Sequence, residues 1–197
     1  PPLQLGHDSA ASTIELPEPG AAEVAPMTVR DAISNRKSLR QYTDAPLGMP
    51  ELSYLLWCTQ GVKRLTGAAT FRTVPSAGAR HCFETYILAN RVDGLDEGLY
   101  RFLALEHKLL VVNRNPGIRG QIVAGCLGQK FVGDCAAAFI WAADAYRMTW
   151  RYGERGYRYM FLDAGHVCQN LYLAAETVKC GVCAVGAFDD NALNGAL

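Results

Sequence analysis

The sequence predicts a single globular domain that mixes helices with β-strands. Apolar residues recur at the i, i+3, i+4, i+7 spacing of a helix face over residues 157–178, which predicts one long helix. Residues 83–90 and 136–143 are short apolar runs typical of buried strands. The chain has 197 residues, of which 50% are hydrophobic and 19% charged, so it can build one substantial core and is unlike a disordered protein.

The N-terminal part of the chain divides into an arm and the start of the domain. Residues 1–26 contain five of the nine prolines and no sustained periodicity, which predicts an extended arm, while residues 27–197 form the domain. A short helix is expected over residues 28–34. A second helix begins with Pro50 at its first position and ends before Gly61.

The middle of the chain alternates short elements with turns. Residues 67–73 are predicted as a loop and residues 75–79 as a turn of small residues. The elements that follow are a hairpin with strands at 99–103 and 108–112, a short helix at 120–127, and a central strand at 136–143 with both faces covered.

The long helix and its flanks carry the most detailed expectations. Residues 144–156, rich in aromatic residues and arginine, form either a lid or the start of that helix, and their composition suits a substrate wall or a subunit interface. Gly181 is expected to end the helix. Residues 182–188 are predicted as a buried strand in which Gly186 lets a neighbour approach the backbone closely.

The same helix has a second apolar set that lies off its main stripe. Its members are Tyr159, Leu162, His166 and Leu173. The helix is therefore predicted to be covered on two sides, either by more of its own chain or by a partner subunit.

Charge and motifs exclude several classes of function. Lys plus Arg and Asp plus Glu number 19 each, so no overall field favours nucleic acid or an anionic membrane, and any anion site must be local. No apolar run approaches the roughly 20 residues of a membrane-spanning helix. The sequence has no GxGxxG or Walker loop and its four histidines are scattered, which argues against a dinucleotide-binding fold, an NTPase and a metal site.

The seven cysteines are odd in number and lie mostly in apolar patterns, which favours buried free thiols over a disulfide framework. Cys180 and Cys183 have CxxC spacing, so a redox or metal role is the alternative there, but nothing supplies the second half of a zinc site. Free thiols favour a reducing compartment, and we expect a cytoplasmic location. A signal peptide that had been removed would leave no trace in this sequence.

A basic segment follows the first short helix. If residues 35–40 leave it as an extended chain, Arg36, Ser38 and Arg40 point to the same side and span about 13 Å. That is the length scale of a phosphorylated ribityl chain plus part of a flavin ring, and a solvated basic surface run is the alternative. The small-residue turn at 75–79 either lets a planar ligand meet backbone amides or is a plain turn.

Several short blocks occur in a fixed order over residues 28–197. They are residues 36–40, 46–47 with 51–57, 60–61, 75–79 before 84–86, 98–101, and 156–159 through 163–166 to 186–188. Together they resemble the nitroreductase family of flavin enzymes, specifically its SagB-type dehydrogenase branch. The resemblance implies an α+β fold with a mostly antiparallel central sheet flanked by helices, an intertwined homodimer, and FMN at the subunit interface.

The resemblance also assigns residues to the cofactor and the substrate. It implies that Arg36, Lys37 and Ser38 hold the phosphate and ribityl hydroxyls, and that Arg40 reaches the pyrimidine edge. The ring would meet Pro75, Ser76, Ala77 and Gly78 of the partner subunit and, near N5 or the dimethylbenzene side, Val185, Gly186 and Ala187. Substrate contacts would come from Arg151 and Tyr152.

The implied activity is an FMN-dependent oxidoreductase that passes electrons from NAD(P)H to a flat acceptor such as a nitroaromatic or quinone. The flavin does the chemistry, so no side chain is expected to be catalytic beyond charge stabilisation by Arg40. The alternatives are a SagB-like dehydrogenase acting on a peptide or biosynthetic intermediate, and a flavin-binding protein without turnover.

Two features depart from the family pattern. Arg151 stands where azoline-oxidising members carry a lysine, and an arginine does not readily accept a proton, which disfavours azoline oxidation. Family members continue past Asp190 into a last strand and tail, whereas this sequence stops at Leu197. Either the phosphate site is incomplete or the true C-terminus lies outside the sequence.

Overall fold

The computed structural model describes residues 1–197 as an α+β domain, which confirms the predicted fold class. Its five-stranded sheet has the order β1-β6-β5-β4-β7 with every neighbouring pair antiparallel, and a two-stranded hairpin of β2 and β3 is separate from it. The strands are β1 (Thr13–Glu15), β2 (Val62–Leu65), β3 (Thr70–Arg72), β4 (Phe83–Ala89), β5 (Gly98–Leu103), β6 (Lys108–Asn113) and β7 (Ala137–Ala143). The helices are α1 (Val29–Asn35), α2 (Met49–Gln60), α3 (Ile118–Gly125), α4 (Phe131–Asp134), α5 (Ala145–Tyr152), α6 (Arg155–Thr177) and α7 (Asp190–Ala196).

The two faces of the sheet bury two apolar layers. Side chains alternate along β4, so Ile87 packs in the layer that α2 and α6 cover, and Leu88 packs in the layer of α3 and α7. Because both faces are covered, β4 and β5 are buried along their whole length. The layer beneath α2 and α6 includes Leu52, Leu55, Leu56, Phe102, Leu109, Leu171, Ala174 and Ala175.

The predicted helices are confirmed, and their ends follow local signals. α1 begins after Thr28, whose Oγ1 accepts a hydrogen bond from the Asp31 N–H at 3.1 Å. Pro50 lies in the first turn of α2, and Gly61 caps its end. α6 covers almost the whole stretch in which the apolar spacing was found.

Four of the predictions along the chain were wrong. α6 ends at Thr177 rather than at Gly181, because Lys179 already takes the left-handed conformation (φ 57°) that follows a helix end. Residues 182–188 are not a buried strand: only Val182 forms a bridge, with Ser38, and most of the others are exposed because no sheet strand of this chain runs beside them. β7 is an edge strand rather than a central one, since β4 is its only partner. Residues 67–73 contain β3, whose partner β2 is mostly exposed and so has no apolar alternation to reveal it.

The segment between β7 and α6 is a helix of its own. α5 ends at Tyr152, and Gly153 takes φ 56° and ψ −144°, a conformation that a continuous helix cannot contain. Residues 144–154 therefore precede α6, which begins at Arg155. Beyond Phe188 the chain forms α7 where the family resemblance suggested a last strand.

The N-terminal arm packs onto the domain. β1 pairs with β6, with Thr13 opposite Leu110. Ahead of β1, backbone groups of residues 3–6 are held by buried charged side chains. These bonds run from Arg72 Nη2 to Leu3 O (3.2 Å), from Leu5 N to Glu84 Oε1 (2.8 Å), and from Arg101 Nη2 to Leu5 O and Gly6 O (3.1 and 3.0 Å). The boundary near residue 26 stays a prediction.

No helix combines the length and the apolarity needed to cross a bilayer. All seven cysteines are free thiols, of which Cys82 and Cys126 are buried and the other five half-buried. No group of three or more metal-ligating side chains is assembled.

Candidate functional site

The basic segment and the chain that leaves α6 lie side by side. The Leu39 N–H donates to Val182 O at 2.9 Å, and Ser38 and Val182 form a parallel bridge. Tyr172 of α6 links the two segments through its hydroxyl, which lies 2.9 Å from Ser38 Oγ and accepts a hydrogen bond from the Ala184 N–H at 2.8 Å. We call residues 36–40, Tyr172 and residues 182–187 the Tyr172 cluster. It joins two of the predicted cofactor-binding segments.

The Tyr172 cluster has unpaired positive charge. The Arg36 guanidinium lies 5.3 Å from the centre of the Tyr172 ring, and Lys37 and Arg40 are exposed. No carboxylate lies within 4.0 Å of any of these three cations. Three cations within five residues suit the phosphate of a nucleotide.

The other side of the Tyr172 cluster offers hydrogen-bond donors. The backbone N–H groups of Val185, Gly186 and Ala187 have no acceptor within the chain. Gly186 is exposed, and a Cβ added to it would meet nothing within 4 Å. Cations, a hydroxyl and free N–H groups are the set that a phosphorylated ribityl chain and a polar ring require, so the residues present fit FMN.

A second cluster forms around the small-residue turn. Gly78 has φ +57°, and a Cβ there would collide with the Tyr152 hydroxyl and lie 3.2 Å from Arg151 Nε. Asp163 of α6 accepts a hydrogen bond from the Ala77 N–H at 3.3 Å. The turn, Arg151, Tyr152 and Asp163 form what we call the Gly78 cluster. It brings the predicted ring-stacking turn against both predicted substrate residues.

Asp163 supplies a buried carboxyl group to the Gly78 cluster. It is buried, and its Oδ2 has no hydrogen-bond partner. Burial raises the pKa of this carboxyl, and the neighbouring Ser76 hydroxyl and Ala77 N–H oppose the rise. Ser76 Oγ also accepts a hydrogen bond from the His81 N–H at 2.9 Å, which connects the turn to the residues that follow it.

The two clusters lie on opposite faces of α6. Asp163 and Tyr172 are nine residues apart, which is about two and a half turns and about 14 Å along the axis. Two cavities, of about 260 and 160 Å³, occur elsewhere and contain none of the predicted cofactor residues. Because the two clusters face away from each other, the predicted cofactor residues of both clusters do not line one common pocket within a single chain.

Part of the apolar surface of α6 is not covered by its own chain, both on its main stripe, at Phe161, and on its second side, at Leu162. Phe161 is 79% exposed and Leu162 54% exposed, and α1 beside it exposes Val29 (71%). Of the second apolar set, Tyr159 and Leu173 are half-buried and His166 is exposed. An apolar patch of this kind on a helix is typical of a protein–protein interface.

Sequence reasoning missed the residues that hold these clusters in place. Asp163 lies in the apolar stripe of α6 between Met160 and Val167, and a carboxylate at such a position is a signal that could have found it. Tyr172 has no comparable signal. Arg147 of α5, only 1% exposed, pairs with Glu84 of β4 and lies 3.2 Å from Asp144, which fixes the helix that carries Tyr152.

Comparison with known proteins identifies the class. The sequence profile of the nitroreductase family matches residues 33–197. The chain is 35% identical over 179 residues to "Putative nitroreductase MJ1384" of Methanocaldococcus jannaschii, covering 91% of this chain and 87% of that protein. It is 31% identical over 115 residues to the trifolitoxin-processing protein TfxB of Rhizobium leguminosarum bv. trifolii, covering 56% of this chain and 31% of that one.

Solved structures agree on the fold. A nitroreductase-like protein of Anabaena variabilis superposes with a TM-score of 0.77 at 28% identity, over 96% of this chain and 39% of that one. One from Ralstonia eutropha gives 0.75 at 24% identity, over 98% and 85%. The chain thus belongs to the nitroreductase family, a family of oxidoreductases whose members generally use flavin.

Proposed function

We propose that this protein is an FMN-dependent oxidoreductase that takes electrons from NAD(P)H and passes them to a flat acceptor such as a nitroaromatic or quinone. The observation that carries the proposal is the Tyr172 cluster, in which unpaired cations and free N–H groups of distant segments meet. Bound FMN would supply hydride acceptance and donation at N5, chemistry that protein side chains lack.

In this proposal, the chain's own residues bind FMN and orient it. Arg36, Lys37 and Ser38 would hold the phosphate and ribityl hydroxyls, which charge-assisted hydrogen bonds favour. Arg40 would supply a fixed positive charge at the pyrimidine edge. The N–H groups of residues 185–187 would face the ring.

We propose further that the working unit is a homodimer. The Gly78 cluster faces away from the Tyr172 cluster of the same chain, so a site that uses both needs a second copy. The exposed apolar patch around Phe161 supplies a surface for that copy. Pro75, Ser76, Ala77 and Gly78 of the second copy would then flank the ring, and Arg151 and Tyr152 would line the acceptor's path.

Titration with FMN followed by anaerobic reduction tests this proposal. The purified protein should bind FMN stoichiometrically, and its yellow colour should bleach when NADH or NADPH is added without oxygen. Bleached protein should regain colour on adding a quinone. Protein that stays colourless with excess FMN would overturn the proposal, and yellow protein that never bleaches would support flavin binding without turnover.

A second candidate is a SagB-like dehydrogenase that acts on a peptide or biosynthetic intermediate. The similarity to TfxB, whose name assigns it to trifolitoxin processing, favours it. Arg151 disfavours azoline oxidation in particular, because a guanidinium does not readily accept a proton. Oxidation of a ring-containing peptide in the absence of NAD(P)H would distinguish this candidate.

A further inference from the structure

A cavity lies between the N-terminal arm and the sheet face that α3 and α7 cover. Its volume is about 260 Å³. Its walls include Ala11 of the arm, Tyr86 of β4, and Leu110 and Val112 of β6, and Arg101 of β5 also lines it. It shares no residue with the Tyr172 cluster or the Gly78 cluster. The cavity is mostly apolar with one buried cation.

Arg101 is a buried charge without a counterion. It is only 6% exposed and stands between Tyr86 and Leu110 in the sheet register. No side-chain carboxylate lies within 4.0 Å of its guanidinium. Burying an unpaired charge is costly, so a protein retains one only where something compensates it.

Some of the N–H groups of this guanidinium have hydrogen-bond acceptors within the protein. Its Nη2 donates to the carbonyls of Leu5 and Gly6 at 3.1 and 3.0 Å. Nε has no partner and is enclosed by protein. Nη1 makes no hydrogen bond and is not among the enclosed unsatisfied atoms, so it is the free donor of a side chain that lines the cavity.

Neighbouring side-chain carboxylates do not supply the missing charge, and the terminal carboxylate of Leu197, which also lines the cavity, lies more than 4.0 Å from the guanidinium. Glu84, the buried carboxylate on this part of the sheet, is bound by Arg147 and by the Leu5 N–H. Asp8 lies at the cavity rim, but its Oδ1 accepts the Ala10 N–H at 2.9 Å and closes its own exposed turn. His7, also at the rim, is exposed. Arg101 therefore has no carboxylate partner, whereas Arg147 has both Glu84 and Asp144.

We propose that this cavity binds a small organic carboxylate with a short apolar tail. The carboxylate would accept hydrogen bonds from Arg101 Nη1, and the tail would pack against Ala11, Leu110 and Val112. A mostly apolar pocket with one charged group selects a ligand that is mostly apolar and carries one group of opposite charge. Inorganic phosphate fits less well, because no second lysine or arginine lies in the walls to meet its additional charge.

Titration calorimetry on the full chain tests the proposal with matched probes. Sodium butyrate should bind saturably, the isosteric neutral butyramide should not, and phosphate should bind at least about tenfold more weakly than butyrate. The same butyrate signal should appear with and without added FMN, which separates this site from the proposed flavin function. Equal binding of butyrate and butyramide, or no binding of butyrate, would overturn the proposal.

Two variants locate the site. Arg101→Gln should lower butyrate affinity at least about tenfold, whereas Arg114→Gln, which removes an arginine already paired with Asp96, should leave it unchanged. Arg101 also holds the arm, so Arg101→Gln risks misfolding. Ala11→Phe keeps Arg101 and fills the cavity, and it should abolish butyrate binding. Unchanged affinity in Ala11→Phe would place the binding elsewhere and refute the proposal.

Discussion

Single residues decide whether the Tyr172 cluster can serve a cofactor. Tyr172 uses one hydroxyl to join Ser38 and Ala184, which are 146 positions apart in the chain. The cations around it lack carboxylate partners, so their charge is available to a ligand. Their contribution can be tested one at a time.

Replacing Arg40 by alanine should weaken FMN binding and lower the reduction potential of the bound FMN, because a fixed cation beside the pyrimidine edge stabilises negative charge there. Arg40 is exposed, so the fold should be intact. Potentiometric titration of the bound flavin is the measurement. Arg30→Ala, an exposed arginine on α1, is the matched control. An unchanged potential would remove Arg40 from the site.

Replacing Gly78 by alanine should lower the free energy of unfolding by more than the same change at Gly128. Both glycines have positive φ, but only at Gly78 would the new Cβ collide with the Tyr152 hydroxyl. Positive φ alone costs an L-residue about 1–2 kcal/mol, and the collision adds to that. Urea denaturation measures both, and Tyr152→Phe should recover part of the loss at Gly78. Equal losses at the two glycines would contradict the packing.

The lowered pKa of His81 predicts that the free energy of unfolding depends on pH. Burial and the nearby Arg72 lower the pKa of its imidazole to about 3. The unfolded chain takes up this proton near pH 6.5 and the folded chain does not, so stability is fully present above that pH. It is lost as pH falls toward 3, at about 1.4 kcal/mol per pH unit for one proton.

Urea denaturation at pH 7.5 and pH 5 measures the effect. The wild-type protein should lose more stability between these two values than His81→Asn does. Asparagine is chosen because it tolerates the positive φ of this position. Equal losses in both proteins would show that the histidine titrates normally.

At the scale of elements, ionic contacts hold the short helix that carries the Gly78 cluster. α5 is joined to β4 by Arg147, which is almost wholly buried and pairs with Glu84. The helix is eight residues long and would be marginal by itself. Its position therefore depends on this pair rather than on its own propensity.

Replacing Arg147 by methionine should lower the free energy of unfolding by about 3–5 kcal/mol, because it leaves Glu84 buried without its cation. Adding Glu84→Gln to this variant should recover part of the loss, since a neutral amide is cheaper to bury unpaired. A double-mutant cycle by urea denaturation measures the coupling. Additive losses would mean that the two side chains do not stabilise each other.

The helices and strands also show which parts of the fold can be predicted from the sequence. The ends of α1 and α2 and the extent of the apolar face of α6 could be predicted, because capping and periodicity are properties of neighbouring residues. The hairpin of β2 and β3 could not, because mostly exposed strands have no apolar alternation. The basic segment at 36–40 was predicted as a ligand site, but the sequence does not show that it contacts Val182 in the chain after α6; the structure does.

At the scale of the whole molecule, the Tyr172 cluster and the Gly78 cluster lie on opposite sides of one helix, and we propose that each is half of a site. The apolar patch that includes Phe161 lies uncovered on that helix. A homodimer would cover the patch and bring half-sites of two copies together. Oligomeric state and flavin binding should therefore be linked.

Replacing Phe161 by glutamate should convert a dimer to a monomer and abolish tight FMN binding, because it places a charge in an apolar interface. Light scattering coupled to size-exclusion chromatography, with FMN titration of each fraction, is the measurement. Leu127→Glu changes a similarly exposed apolar side chain away from α6 and should affect neither property. A Phe161→Glu monomer that binds FMN normally would contradict the two-copy site.

The sequence by itself determined helices α1, α2, α3 and α6 and the sheet strands β4, β5 and β6, because these depend on periodicity and local chemistry. Only the tertiary structure decided that Tyr172 bridges residues 38 and 184, that Asp163 holds the turn at Gly78, and that the arm packs against Arg101. It also decided that residues 182–188 form no strand. The physical reason is common to all of these: each depends on a partner far away in the chain, and no local pattern records which distant groups will meet.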